Sequence, residues 1–421
     1  SIQDKRERVL HQFILKFTAP TRGQLNQYKM NRIIILLLLA GTLADISGLL
    51  QASRIVRISL RKHTSMQAGH LGQPMTSYFA RTEFGSPPKP FNMLIDLNAR
   101  EVWLPHYLKM GLVYSRLNYK NGYSKKGSKT SIKEPDEIYK MDFKDCELSG
   151  KAYQDVVRFK DVEDSIQPVE FKQRFLVISS ASNSKFTQFS PADGVLAFAP
   201  WPISETGSDL VSVSMRRANL TSELKFGLAL DSDLSDGLSG GGELTIGGVN
   251  SHKTNASTLR FHGLVAQHSW EVNLQNVMLG ANSIDACPRK MSNQVTCSAL
   301  LSTTTNDIYG PTEPIKAMLK LLGFPDVDTK FDHSTLYEID CLKVATAPTL
   351  TFVIDGQYYS IPPTSYIKKK EDGYIFKSST CYVALLSNLS DNKWELGTNF
   401  LSNYYTVFDM DRRSVAFGRR L

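Results

Sequence analysis

An apolar run that opens into a polar loop occurs twice in this chain, 206 residues apart. Met93-Leu94-Ile95-Asp96-Leu97-Asn98 is echoed by Ala299-Leu300-Leu301-Ser302-Thr303-Thr304. Each is followed at a distance by a second apolar run built around a glycine: Asp193-Gly194-Val195-Leu196-Ala197-Phe198 in the first half, Trp394-Glu395-Leu396-Gly397-Thr398-Asn399-Phe400 in the second. A unit repeated in this way implies two halves built on one plan. At 421 residues with 42% apolar content, the chain is long enough to bury a large core in two lobes.

From about Tyr78 onward the pattern is short apolar or alternating runs rich in Val, Ile, Phe and Tyr, broken by Gly, Pro, Asn and Ser. That pattern predicts strands, among them Phe91–Ile95, Phe175–Ile178, Glu243–Ile246, Leu350–Ile354 and Tyr404–Phe408. Only Pro314–Leu322 offers a good amphipathic helix, with Ile315, Met318, Leu319 and Leu322 at helical spacing. The predicted class is therefore all-β. The glycine-rich stretch from Ser239 to Gly248 has no following Lys-Ser or Lys-Thr, so it reads as a turn feeding a strand rather than a phosphate loop. The eight histidines show no metal-ligand spacing, and neither a metal nor any other cofactor is expected.

The net charge of +8 is not spread over the chain. Residues 1 to 62 hold 11 Lys and Arg against 3 Asp and Glu, which leaves 38 of each sign in the remainder. A neutral body gives no basis for nucleic-acid binding. Within the basic head, Met30-Asn31-Arg32 precedes the apolar run Ile33–Ala40 and then the small residues Ala44, Ser47 and Gly48, the pattern of a secretory signal peptide. The run is shorter than the roughly 20 residues a membrane-spanning helix needs, and Asp45 follows it, so no membrane anchor is expected. The expected division is residues 1–29 as a non-native or upstream-translated extension and 30–52 as the signal peptide. Export permits disulfides, and the five cysteines read as two pairs plus one: Cys287 with Cys297, Cys341 with Cys381, and Cys146 left over. Asn219, Asn255 and Asn388 head sequons that fit the same compartment, though unmodified loop asparagines would look the same.

At these residues the chain resembles the pepsin-like aspartic proteases, in order from about Arg57 to the C-terminus. Arg57–Lys62 resembles the opening of the family's pro-segment. Tyr78–Phe91 looks like its first strand and turn, and Asp96–Pro105 like its first catalytic loop with the strand that follows. Ala192–Leu196, Glu243–Gly248, Ser269–Val272, Gly310-Pro311, Leu396-Gly397 and Tyr404–Asp409 then match in family order, and the two cysteine pairs match disulfides common in pepsins. The resemblance implies a bilobal acid-protease fold, two β-barrel-like lobes with a cleft between them. It assigns 53–75 to a short pro-segment-like region, 76–224 to the N-terminal lobe and 225–421 to the C-terminal lobe.

The same resemblance shows what is missing. In this family two aspartates face each other and share a proton, one acting as base on a water and the other as acid toward the scissile carbonyl. Asp96 occupies the first position and Ser302 the second, with Gly310-Pro311 fixing the register. A serine hydroxyl cannot cycle between acid and base in the range where the carboxyl pair works, and loss of such a group costs about 10²–10⁴-fold or more in rate. Asp96 alone is expected to behave as an ordinary, partly buried carboxylate. Leu97 lacks the hydroxyl with which the family's Thr ties the two loops together, and Thr304 stands where Gly allows close approach. Asp307 is five residues too far along to replace the missing acid without displacing Gly310-Pro311, and no histidine lies nearby in sequence to activate Ser302. In the flap, Met141–Cys146 aligns with a segment that normally holds Tyr then Gly, so Phe143 keeps the ring without the phenol; Tyr139 is the other candidate for that place. With Phe143, the loop residues Thr303 and Thr304 are expected to line the cleft. The expected function is that of a secreted, monomeric homologue that binds a peptide or protein ligand in its cleft without proteolysis, the alternative being a divergent active aspartic endopeptidase.

Overall fold

The structure, a computed structural model, describes residues 55–65, 74–107, 121–135, 137–160, 168–183, 192–200, 210–231, 240–286, 297–327, 331–332, 335–369, 380–388 and 392–421. The expected signal peptide, the extension before it and Cys287 lie outside these residues. The chain divides into two compact units, Ser1–Ala52 and Ser53–Leu421, and everything below concerns the second.

Strands dominate, as the alternating pattern predicts. Phe91–Ile95 lies within the strand Lys89–Asp96, Phe175–Ile178 within Val169–Ala181 and Glu243–Ile246 within Gly240–Ile246; Leu350–Ile354 matches and Tyr404–Asp409 extends the expectation by one residue. The expected helix is present as Thr312–Leu321 and buries Pro314, Ile315, Met318 and Leu319. A second helix, Val211–Arg217, was not legible in the sequence. It buries Val211, Ser212, Ser214 and Met215, and seven residues with two valines and two serines carry too little helical signal to stand out.

The largest sheet draws on the whole length of this unit. In order, its central strands are Ser414–Arg419, Tyr404–Asp409, Lys225–Leu230, Gly240–Ile246, Val56–Ser65, Met75–Phe84 and Lys89–Asp96, after which it continues through Gly194–Ala197 and Trp103–Pro105. Strand Val56–Ser65, which contains the pro-segment-like residues Arg57–Lys62, is thus an interior strand, antiparallel to Gly240–Ile246 on one side and to Met75–Phe84 on the other. The glycine-rich stretch becomes the strand Gly240–Ile246, as read. Gly242 adopts φ +101°, and a Cβ there would stand 1.8 Å from the Ala229 carbonyl oxygen, so no other residue fits.

The repeat is explicit in the pairing. Lys89–Asp96 lies parallel to Gly194–Ala197, with Ile95 opposite Leu196. Cys297–Leu301 lies parallel to Lys393–Leu396, with Leu301 opposite Leu396. Each partner strand then takes a short antiparallel neighbour, Trp103 opposite Val195 and Ile308 opposite Leu396. Each short strand is in turn parallel to a third, Trp103 opposite Leu176 and Ile308 opposite Leu385. Two copies of one strand-loop-strand weave result, and each ends a strand at the residue where its loop begins. One continuous apolar core, including Trp270, Trp394, Phe226 and Phe408, underlies both. The disulfide Cys341–Cys381 joins the second copy's small side sheet, with Cα atoms 5.0 Å apart. Cys297 is also disulfide-bonded, and its expected partner Cys287 lies outside the described residues. Cys146 is a buried free thiol.

Candidate active site

The two loops meet because each leaves a strand buried in the shared core. Asp96 is the last residue of its strand and is 5% exposed, while Ser302, Thr303 and Thr304 follow directly on Leu301 at 1%, 1% and 7%. Thr303 reaches across: its Oγ1 donates to the Ile95 carbonyl at 2.7 Å and accepts from the Leu97 N–H at 3.3 Å. Leu97 cannot return the gesture, and here the structure departs from expectation. The tie from the first loop is not lost, because the neighbouring Asn98 supplies it. Asn98 Nδ2 donates to the Leu301 carbonyl at 2.8 Å, and its Oδ1 accepts from the Trp270 N–H at 3.4 Å. Trp270 itself crosses between the repeats, its indole N–H donating to the Phe198 carbonyl at 2.7 Å. The loops are therefore held by reciprocal hydrogen bonds, one side built from a threonine and the other from an asparagine.

Asp96 Oδ1 accepts from the backbone N–H groups of Asn98 at 2.8 Å and Ala99 at 3.1 Å, which closes the loop around the carboxyl. The expectation of an ordinary, partly buried carboxylate is corrected. Burial pushes the Asp96 pKa above the usual carboxylate range. The Lys144 ammonium and the two N–H donors pull it back in part, and the negative charge of Glu395 pushes it up again. Burial disfavours the charged form more than two backbone donors can offset.

Ser302 Oγ lies 3.4 Å from Thr304 Oγ1, and Ser302 N–H donates to the Leu396 carbonyl. The second loop thus presents hydroxyls where the first presents a carboxyl. Thr305 Oγ1 donates at 2.6 Å to Glu395 Oε1, on the strand paired alongside. Glu395 is the residue that sequence reasoning missed. Glu395 belongs to the repeated apolar run, and its place beside the loop follows from the register that sets it opposite Leu300. Asp307 is 6% exposed and takes a hydrogen bond from Asn399 Nδ2 at 3.3 Å. Burial raises its pKa to about 7, with the positive charge of Lys368 opposing that rise.

Over the first loop stands the hairpin of Tyr139–Phe143 and Cys146–Phe159, turned by Lys144 and Asp145 at φ +48° and +60°. Phe143 is buried, edge-on to Trp103 with ring centroids 5.3 Å apart. Tyr139 is engaged elsewhere: its hydroxyl donates to Glu137, and Arg174 covers its ring at 5.6 Å. Between hairpin and loop lies a cavity of about 600 Å³ whose walls include Asp96, Arg100, Glu101, Asp142, Phe143 and Lys144. Among the described residues no group of three or more His, Cys, Asp or Glu is placed to hold a metal, and no helix is long and apolar enough to cross a membrane.

The profile of the family described as eukaryotic aspartyl protease matches residues 77–420. The chain belongs to this family. Gastricsin of Cavia porcellus is 23% identical over 354 residues, covering 82% of each chain. Cathepsin D of Mus musculus is 25% identical over 419 residues, covering 90% of this chain and 98% of the relative. Pepsin-3 of Oryctolagus cuniculus is 24% identical over 336 residues, covering 79% of this chain and 78% of the relative. An aspartyl protease fold explains why two such different loops, Asp96-Leu97-Asn98 and Ser302-Thr303-Thr304, occupy equivalent places in the weave. The all-β bilobal architecture expected from the sequence is that of the family. The sequon residues Asn219 and Asn255 lie on the surface, Asn219 in a left-handed conformation at φ +56° and Asn255 exposed with its side chain closing a local turn, and Asn388 Nδ2 donates to the Lys393 carbonyl.

Proposed function

We propose that this protein is an exported member of the aspartyl protease family that binds an extended peptide in its cleft and does not hydrolyse it. The observation that carries the reading is Ser302 in the place of the second acid, its hydroxyl beside that of Thr304. A water above Asp96 would find one carboxyl on the two loops and no second group able to exchange a proton in the same pH range. The cavity under the hairpin and the intact ties between the loops support a cleft that still holds its shape. The disulfide Cys341–Cys381 fits an oxidising compartment, as do the surface positions of Asn219 and Asn255 as glycosylation sites. A single-chain, monomeric protein with lobes meeting near residue 225 completes the reading.

The test uses the full chain expressed through a secretory route and offered mixed peptide substrates between pH 2.5 and 7, with and without a statine-type inhibitor. Peptide binding without turnover is expected. Turnover abolished by the inhibitor would overturn the reading and establish an active endopeptidase.

A further inference from the structure

The cavity beside Asp96 has an asymmetric charge problem. Asp96 Oδ1 is engaged by two backbone N–H groups, but among the described residues Oδ2 has no hydrogen-bond partner. Asp96 is 5% exposed, so solvation of its carboxylate is limited to what the cavity admits. Behind it, outside the cavity's lining, the Glu395 carboxylate held by Thr305 adds a second negative charge that acts on the same group. In front, Lys144 at the hairpin tip exerts an opposing field without closing an ion pair on Asp96. A positive charge is favoured at this spot, and the chain brings one only to its edge.

The other charges lining the cavity do not change the sign. Lys140 and Glu147 pair with each other at 3.0 Å. Glu101, also 5% exposed, is engaged in an interaction of its own, while Asp142 and Arg100 lie at the exposed rim and can turn to water. An anionic ligand would have to be placed against the buried Asp96, whereas a cationic one leaves Arg100 and Lys144 free to swing outward.

We propose that this cavity takes the ammonium or guanidinium of a lysine or arginine side chain of the bound peptide, paired to Asp96 Oδ2. The inference rests on the peptide-binding reading and narrows its ligand to basic sequences. A cation entering the cavity supplies Asp96 Oδ2 with the direct, charge-assisted hydrogen bond that Lys144 does not make. Because Asp96 must be ionised to make that bond, affinity for a basic peptide rises with pH through the Asp96 titration, whereas a neutral peptide shows no such rise.

Two fluorescein-labelled pools of random octapeptides test this, alike except that one fixed position is arginine in the first pool and citrulline in the second. Binding to the full secreted chain is followed by fluorescence anisotropy between pH 4 and 8. The arginine pool is expected to bind at least about tenfold more tightly at pH 7, with the preference shrinking toward pH 4. Asp96→Asn, which keeps an acceptor for Asn98 and Ala99, should abolish the preference, and Lys144→Ala should increase it. Equal binding of both pools, or a preference that survives Asp96→Asn, overturns the inference and leaves peptide binding intact. Should the asparagine variant misfold, an unchanged preference in Lys144→Ala together with a flat pH response overturns it. Failure of both pools to bind the parent protein overturns the peptide-binding reading itself.

Discussion

Asn98 Nδ2 donates to the carbonyl of Leu301, 203 residues away in the chain, at 2.8 Å, and so does for the first loop what Thr303 does for the second. Leu97 has no hydroxyl to offer, and the tie is made one residue further on. The two loops stay in register although they no longer carry the same chemistry.

Asn98→Ala should therefore act on stability. It removes the bond to Leu301 and the acceptor for the Trp270 N–H, a loss of about 1–2 kcal/mol. Urea unfolding should show a lower midpoint with an unchanged slope. Adding Leu97→Thr to this variant should recover part of the loss by returning a hydroxyl to the loop; no recovery would show that the asparagine acts only locally.

Asp307 makes stability depend on pH in a definite direction. Its pKa in the folded protein, about 7, lies above the ordinary carboxylate value that applies when the chain unfolds. The native state then binds the extra proton, so stability is greatest below the unfolded pKa and falls as pH rises from about 4 to 7. Lys368, lowered to about 8, works the opposite way, with stability rising between its folded pKa and the ordinary lysine value. Asp307→Asn keeps a partner for Asn399 and should flatten the decline between pH 4 and 7, gaining on the order of 1–3 kcal/mol at pH 7 relative to pH 4. Thermal unfolding at the two pH values measures the difference.

Ser302→Asp alone is expected to leave peptide hydrolysis undetectable. The new carboxyl would enter a site 1% exposed, close to Thr304 and within reach of a buried Asp96, where a second charge is costly. A lower melting temperature without turnover is the expected result; recovery of inhibitable cleavage would show that the flanking loop residues matter little.

The disulfide Cys341–Cys381 spans 40 residues, and the chain-entropy account gives about 4 kcal/mol for a loop of this length. Replacing both cysteines by serine should lower the melting temperature by several degrees, read by calorimetry under non-reducing conditions.

The strands and the repeat were legible because each apolar run is short, alternating and bounded by turn residues, and because Gly310-Pro311 pins the second loop. Close packing at Gly194 and Gly310 is a finding of the structure: a Cβ would stand 2.2 Å from the Trp103 carbonyl oxygen at the first and 2.5 Å from the Trp394 ring at the second. What the pattern could not carry was contact between distant segments. Asn98 as a bridge depends on Leu301 and Trp270, Glu395 on Thr305, and the raised pKa of Asp96 on how deeply the weave buries it. Each is a property of register across the whole core, and no local run of residues encodes it. Val211–Arg217 was missed for a simpler reason, since seven residues barely complete two helical turns.

Strand Val56–Ser65 has a further consequence. Because it is bonded along both flanks, a cut just beyond Ser65 would leave a nicked protein whose leading segment stays lodged by its ladder. Stripping the segment away would split the sheet and bare two facing edges, those of Met75–Phe84 and Gly240–Ile246. Such a gap invites a substitute strand, from the protein's own downstream chain or from another molecule. Removal of this strand would thus be inseparable from an exchange of sheet partners.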